Sequence, residues 1–366
     1  MNKTATLFLE AVSKYKSIAI YIPGSPDPDA IASAYAIKAI LNHLSIESDI
    51  FAEKKLSLPQ NQAFLDRLKI PVIFGKEVNT KNYDAYIVPD FQNNRVDKIG
   101  DQIPCAAHID HHGKSKQSIK SDFSLIRTDS GSTSTLVALI MKNLDIFFND
   151  REIKSIATAL TFGIQTDTDK YDHTTPLDVE ALTYLESFAD KEILKGINSM
   201  PVSPATILCY NRSRANEIVY KDWGIYGIGY IDAKERDSIA ISADMILKNT
   251  EHKTVAIFAL IENHKKSELY LDVSLRSESA SVDLNRVIKR ITPSGGGRQY
   301  KGAYQIKLNY FRNAPDPDML WSVVEATTIE TLKKSRDTLY ISELESFYSN
   351  IKNKLFSFLK KDSDIT

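Results

Sequence analysis

Short apolar runs that end in acids or histidines, separated by segments of helical period, set the pattern of the first half of the chain. Ser17–Ile22 reads Ser-Ile-Ala-Ile-Tyr-Ile, a β-rich run, and Pro23-Gly24-Ser25-Pro26-Asp27-Pro28-Asp29 after it cannot be regular structure. Ala30–Leu44 then carries Ile31, Ala34, Ile37 and Ile40/Leu41 on one helical face. Two further runs repeat the device: Ala85–Val88, closed by Pro89-Asp90, and Cys105–Ile109, closed by Asp110-His111-His112. Helices are predicted over Leu136–Leu144, after the hydroxyl-rich Asp129–Thr135, and over Asp178–Lys195. Between them the apolar run Ile156–Ile164 leads into Gln165-Thr166-Asp167-Thr168-Asp169. Alternating runs of this kind predict a doubly wound α/β domain whose polar residues gather at one edge of a parallel sheet.

The pattern changes after Gly196. Gly196–Pro204 is rich in Gly, Ser and Pro and reads as a hinge. Trp223–Ile231, Thr254–Glu262 and Glu268–Arg276 read as strands, Val282–Ile291 as a helix, and Pro293–Arg298 as a flexible loop with three consecutive glycines. From Pro315 the chain turns helical again, with Leu344, Phe347, Ile351, Leu355 and Phe358 spaced by three or four. The expected division is a first α/β domain over 1–195, a helical linker over 196–215, a smaller α/β domain over 216–314 and a helical extension over 315–366. The apolar stripe of the extension fits packing on its own domain or a homodimer contact.

Composition narrows the function classes. Of 366 residues, 43% are hydrophobic and 25% charged, which suits globular domains with real cores. A net charge of −1 gives no global basic field for long duplex nucleic acid. Two distant cysteines, Cys105 and Cys209, imply no disulfide framework and fit a reducing, cytoplasmic setting. No apolar run reaches the roughly 20 residues of a membrane span. Met1–Ile18 reads as an amphipathic helix rather than a signal peptide.

The chemistry lies at the ends of the apolar runs. Asp110-His111-His112 offers one carboxylate and two imidazoles at a strand tip, a donor set suited to a borderline divalent metal such as Mn²⁺. Asp27 and Asp29, separated only by Pro28, repel each other unless a cation lies beside them. Asp29 as a plain helix cap is the competing expectation. The hydroxyls before Leu136 are natural caps, and that helix start is also suited to an anion. The three glycines before Arg298 let backbone amides approach a ligand closely.

Taken together, these residues resemble the DHH/DHHA1 phosphoesterase superfamily over about Ser17 to Leu308. The likeness is carried in order by Pro26-Asp27-Pro28-Asp29-Ala30-Ile31-Ala32-Ser33, Val88-Pro89-Asp90, Asp110-His111-His112, Gly131-Ser132-Thr133-Ser134 and Gly163-Ile164-Gln165-Thr166-Asp167-Thr168. Val273-Ser274-Leu275-Arg276-Ser277 and Gly295-Gly296-Gly297 carry it in the second half. The resemblance is strongest to the small members that degrade very short RNAs, dephosphorylate phosphoadenosine phosphate or hydrolyse linear and cyclic dinucleotides. It implies that Asp27, Asp29, Asp90, His111 and Asp167 ligate two Mn²⁺ ions, with Mg²⁺ as an alternative, and that Asp90 bridges them. It implies that Asp110 orients a ligand from behind and that His112 faces the substrate phosphate. Arg276, Ser277, Gly295, Gly296, Gly297 and Arg298 would hold the nucleotide.

Two positions depart from the family. Its first motif usually opens with a His three residues before Pro-Asp, and here that position is Pro23. One of the two metal sites is therefore expected to be weak. The glycine loop usually ends in His and here ends in Arg298, which grips phosphate but cannot shuttle a proton. The expected function is two-metal hydrolysis of short oligonucleotides, dinucleotides or phosphoadenosine phosphate. The alternatives are a nucleotide-binding protein with a degenerate site, or a pyrophosphate or polyphosphate hydrolase.

Overall fold

Apolar runs and helical stripes sort into two units, Met1–Pro201 and Val202–Thr366. The structure, a computed structural model, describes residues 2–24, 26–56, 58–91, 96–113, 119–264 and 266–338. The apolar stripe from Leu344 to Phe358 lies outside the described residues.

The first unit alternates strands and helices. Helix α1 (Lys3–Val12) leads to β1 (Ser17–Ile22), α2 (Pro28–His43), β2 (Glu47–Ala52), α3 (Pro59–Leu68) and β3 (Val72–Phe74). Then come β4 (Ala85–Pro89), the short α4 (Asp97–Gly100), β5 (Cys105–Asp110) and β6 (Ser121–Ile126). Four helices close the unit: α5 (Thr133–Lys142), α6 (Asp150–Asp167), α7 (Pro176–Leu185) and α8 (Lys191–Asn198). The strands form one parallel sheet in the order β3-β2-β1-β4-β5-β6. Chain direction across the sheet reverses between β1 and β4, where the carboxyl ends open a crevice. The sequence expectation of a parallel α/β domain is met. The single helix expected over Asp178–Lys195 is two, because Asp190 caps a new one with its side chain on the amides of Glu192 and Ile193.

The core explains the apolar runs. Ile18, Ile20 and Ile22 of β1, Ile87 of β4, and Ala107 and Ile109 of β5 are buried with Ile31, Ile37 and Leu41 of α2 and Leu160 of α6. Strands covered on both faces read as near-continuous apolar stretches. Strands β2, β3 and β6 escape that signature because they are short or half exposed.

The second unit begins inside the segment expected to be a linker, and Pro204–Ala215 of that segment is helix α9. It continues with β7 (Glu217–Tyr220), β8 (Trp223–Asp232), α10 (Asp237–Lys248), β9 (Thr254–Asn263) and β10 (Glu268–Ser277). Helix α11 (Leu284–Ile291), β11 (Gly296–Gly297), β12 (Lys301–Lys307) and a helix over 317–338, α12, complete it. Its mixed sheet runs β11-β12-β10-β9-β8-β7, with only β8 and β9 parallel. Among the described residues, no helix is long and apolar enough to cross a membrane.

Candidate metal centre and its surroundings

The carboxyl ends of β1, β4 and β5 carry the acids and histidines. Asp27 and Asp29 follow β1, Asp90 follows β4, and Asp110-His111-His112 closes β5. Helix α6 brings Asp167 to the same place from its last turn. His111 Nε2 stands 3.0 Å from Asp167 Oδ2, 3.5 Å from Asp90 Oδ1 and 4.0 Å from Asp29 Oδ2. Its Nδ1 lies 3.2 Å from the Ser130 carbonyl. That carbonyl can only accept, so Nδ1–H donates to it and the Nε2 lone pair faces the three carboxylates. Asp29, His111 and Asp167 form one cluster able to hold a metal, and Asp90, His111 and His112 form another.

The N-terminus of α5 fixes Asp29. The Thr133 amide donates to Oδ2 and the Ser134 amide to Oδ1, each at 2.8 Å. The anion that the sequence suggested for this helix start is the protein's own carboxylate, which the amides and the helix dipole favour. The cap of α2 is Asp27, whose Oδ1 accepts from the Ala30 amide at 2.9 Å, so Asp29 is not the cap. Asp27 belongs to neither metal cluster among the described residues, although its charge acts on Asp90.

Asp90 occupies a strained position. Its φ is +55°, a left-handed conformation that costs a non-glycine residue of order 1–3 kcal/mol. Its amide donates to the Ile109 carbonyl at 2.8 Å, and the Thr133 hydroxyl donates to its Oδ1 at 3.0 Å. Burial pushes the Asp90 carboxyl well above the usual range, and the charges of Asp27, Asp29, Asp167 and Asp110 push it further. Burial and Asp167 likewise raise Asp29, against the pull of His111 and the Ser134 bonds. Buried carboxylates that destabilise one another, with one imidazole aimed among them, are a donor set that fits a divalent cation.

His112, a member of the second cluster, is also tied to Asp110. Its Nδ1 lies 2.8 Å from Asp110 Oδ1, its amide donates to the same oxygen at 3.2 Å, and its side chain is 37% exposed. Burial raises the Asp110 carboxyl, but the bonds and charge from His112 outweigh it and hold the group below its usual value. Asp110 thus anchors one ring nitrogen of His112.

Three supports have duties that the sequence does not specify: Ser130 and Thr133 are expected there as caps or at an anion-binding helix start, and Asp178 only as a helix start. Buried Asp178 accepts from the Gly131 amide at 3.0 and 3.1 Å, from the Thr175 amide at 2.7 Å and from the Thr135 hydroxyl at 2.5 Å. A Cβ on Gly131 would lie 3.0 Å from Asp178 Cγ and 2.7 Å from Thr168 Cγ2, so only glycine lets this loop approach. The sequence signal for Asp178 is a capping box with Thr175, which marks a helix start and says nothing of the loop it braces.

The second unit's expected ligand residues are tied into their own fold. Arg276 is buried, with Nε 2.7 Å from Asp244 Oδ1 and Nη1 donating to the Leu275 carbonyl at 2.9 Å. Ser277 is buried on Thr254 and the Lys253 carbonyl. Gly296 and Gly297 form a short strand on β12 rather than an irregular loop. A Cβ on Gly295 would strike Tyr304 and Ile288, and one on Gly297 would strike Lys301 and Gly302. A Cβ on Gly296 would meet Asn285 and Lys289 only at ordinary contact distance, 3.6–3.9 Å. The Arg298 amide donates to the Lys301 carbonyl at 2.7 Å and closes the hairpin.

Comparison with known proteins places these observations. Residues 17–164 match the DHH family, N-terminal domain. An uncharacterised protein of Methanocaldococcus jannaschii is 28% identical over 304 residues, covering 82% of this chain. The chain spans 60% of the length of that relative. Among solved structures, an exopolyphosphatase-related protein of Bacteroides fragilis superposes with a TM-score of 0.70 at 18% identity. The match covers 93% of this chain and 100% of that one, and shows a shared fold.

Proposed function

We propose that this chain, whose residues 17–164 match the N-terminal domain of the DHH family, is a phosphate-ester hydrolase acting on short oligonucleotides, linear or cyclic dinucleotides, or phosphoadenosine phosphate. One observation carries the reading: His111 Nε2 faces Asp29, Asp90 and Asp167 at 3.0–4.0 Å while its Nδ1 is held by a backbone carbonyl. Asp29, Asp90, His111 and Asp167 would hold divalent metal, with Mn²⁺ favoured over Mg²⁺ by the imidazole. When bound, such an ion neutralises the acids, withdraws charge from the phosphoryl group and activates water.

The chain's own residues supply the remainder. Thr133 and the first amides of α5 keep Asp90 and Asp29 oriented, so little reorganisation accompanies binding. His112, braced by Asp110, presents Nε2 to the phosphate, where it delivers a proton to the leaving oxygen or steadies its charge. Arg298 and the hairpin glycines remain the candidate nucleotide contacts of the second unit.

A hydrolysis panel with added Mn²⁺ tests this. It contains a dinucleotide, a five-nucleotide RNA, a cyclic dinucleotide, phosphoadenosine phosphate and pyrophosphate. Cleavage of one or more of the nucleotides is expected. Cleavage of pyrophosphate alone overturns the substrate class, and no cleavage at all overturns the enzymatic reading.

A further inference from the structure

Directly after Asp167 the backbone does something unusual. Asp169, Lys170 and Tyr171 have φ of +53°, +60° and +76°, and none is glycine. L-residues visit this conformation singly, not in runs, so the surrounding structure must enforce it. The enforcing contacts are visible. Thr168 is fully buried, its hydroxyl donates to the Ile164 carbonyl at 2.7 Å, and its methyl fills the space beside Gly131. The Lys170 amide then donates to the Gln165 carbonyl at 2.8 Å, and the His173 amide to the Thr168 carbonyl at 3.0 Å. Thr168 thus pins the end of α6 to the loop that braces Asp29, and the chain reverses at once.

Within the reversal Lys170 is exposed and Tyr171 is 39% exposed, its remaining surface packed closely enough that burial pushes the hydroxyl's pKa up. Tyr171 lies four Cα steps beyond Asp167, so their Cα atoms lie at most about 14 Å apart, and the backward bonds shorten that span. A nucleotide with its phosphate at the acid cluster reaches this distance with its base.

We infer that the left-handed turn Asp169–Tyr171 presents the Tyr171 ring as a stacking platform for the substrate's nucleobase. The inference rests on the nucleotide reading above and names the part of that site which selects nucleosides over bare phosphates. An aromatic face suits any base, so the platform gives affinity for nucleotides without sequence preference. Tyr171 acts here as a specificity residue, apart from the bond-breaking chemistry.

Calorimetric binding of AMP and of inorganic phosphate to Mn-supplemented protein tests it. The variants are Tyr171→Ala, Tyr171→Leu, which keeps apolar bulk without a π face, and Tyr171→Phe, which keeps the ring. The Ala and Leu variants are expected to weaken AMP roughly 5- to 150-fold, with Phe close to wild type and phosphate affinity unaltered throughout. Equal losses on AMP and phosphate would mean that the turn shapes the acid cluster, and no loss on AMP would mean that the ring touches no ligand. Either overturns the inference while leaving the nucleotide reading intact. Wild-type protein that binds phosphate and not AMP overturns both. Should the Ala variant fail to fold, the Leu and Phe pair carries the comparison.

Discussion

Replacing Gly163 by alanine should damage the metal centre from a position that carries no ligand. Gly163 lies inside α6, one helical turn before Asp167. Its backbone packs so closely on α2 and α5 that an added Cβ would fall under 3.0 Å from Ser134 Oγ and 3.1 Å from both Ser134 Cβ and Ala32 Cβ. Normal contact requires the helices to part by about 1 Å. An exposed helical glycine gains roughly 0.8–1.0 kcal/mol on replacement by alanine, whereas overpacking here costs about 1–3 kcal/mol. The sign of the net change therefore reports the contact. The same shift moves Asp167 on one helix and the amide of Ser134 that holds Asp29 on the other. Metal ligands tolerate about 0.2 Å, so Mn²⁺ affinity should fall roughly 10- to 100-fold, the range seen when a ligand's support is lost. Denaturant unfolding and calorimetric Mn²⁺ titration read the two effects. Ser134→Ala supplies the control. Its hydroxyl makes two long contacts, each 3.4 Å, to Ser33 and the Asp29 carbonyl, and it also bonds the Asp29 carboxylate, so alone it should cost about 0.5–1.5 kcal/mol. Beside Gly163→Ala it removes the atom struck and should restore part of the loss. A stabilising Gly163→Ala, or effects that add within about 0.5 kcal/mol, would refute the reasoning.

Further outcomes follow from the same geometry. Asp29 and Asp90 have raised folded-state pKa values, so metal-free protein should lose stability as pH rises from the ordinary carboxylate value through those folded values. Mn²⁺ relieves that repulsion and binds the ionised acids, so its rise in Tm should be larger at pH 7.5 than at pH 5; at 100 times Kd the stabilisation is about 2.7 kcal/mol. An equal rise at both pH values would count against these acids as ligands. Pro23 offers no ligand, so dialysed protein should retain one tight Mn²⁺ and take a second only in excess. Pro23→His should tighten the weak site by at least about tenfold, and two equally tight ions in the wild type would contradict this. Arg298→Ala should raise KM for substrates with a terminal phosphate about 10- to 150-fold, and much less for a dinucleotide with only its linking phosphate. Equal losses on the two substrates would make its place in the hairpin structural.

Much of the first unit could be read from the chain alone. Strands β1, β4 and β5 are buried on both faces, so each is a plain apolar run, and a run that stops at Asp90 or at Asp110-His111-His112 announces which end carries chemistry. Asp29, Asp90, His111 and Asp167 stand out at element ends against apolar neighbours, and the resemblance to the DHH/DHHA1 superfamily is what singles them out as ligands. What periodicity cannot report is the partner of a group far away in the chain. Only the fold makes the amides of Thr133 and Ser134 the seat of Asp29, more than 100 residues before them. Only the fold assigns the capping duty to Asp27, braces the Gly131 loop on Asp178, and commits Arg276 to Asp244. The triple glycine shows the same division. Composition marks a place where backbone comes close, but whether to a ligand or to the chain itself depends on tertiary packing, and here Gly295 and Gly297 admit Tyr304 and Lys301. Burial is a local property that each residue's polarity reveals; partnership is a property of pairs, decided when the sheet order brings distant loops to one edge.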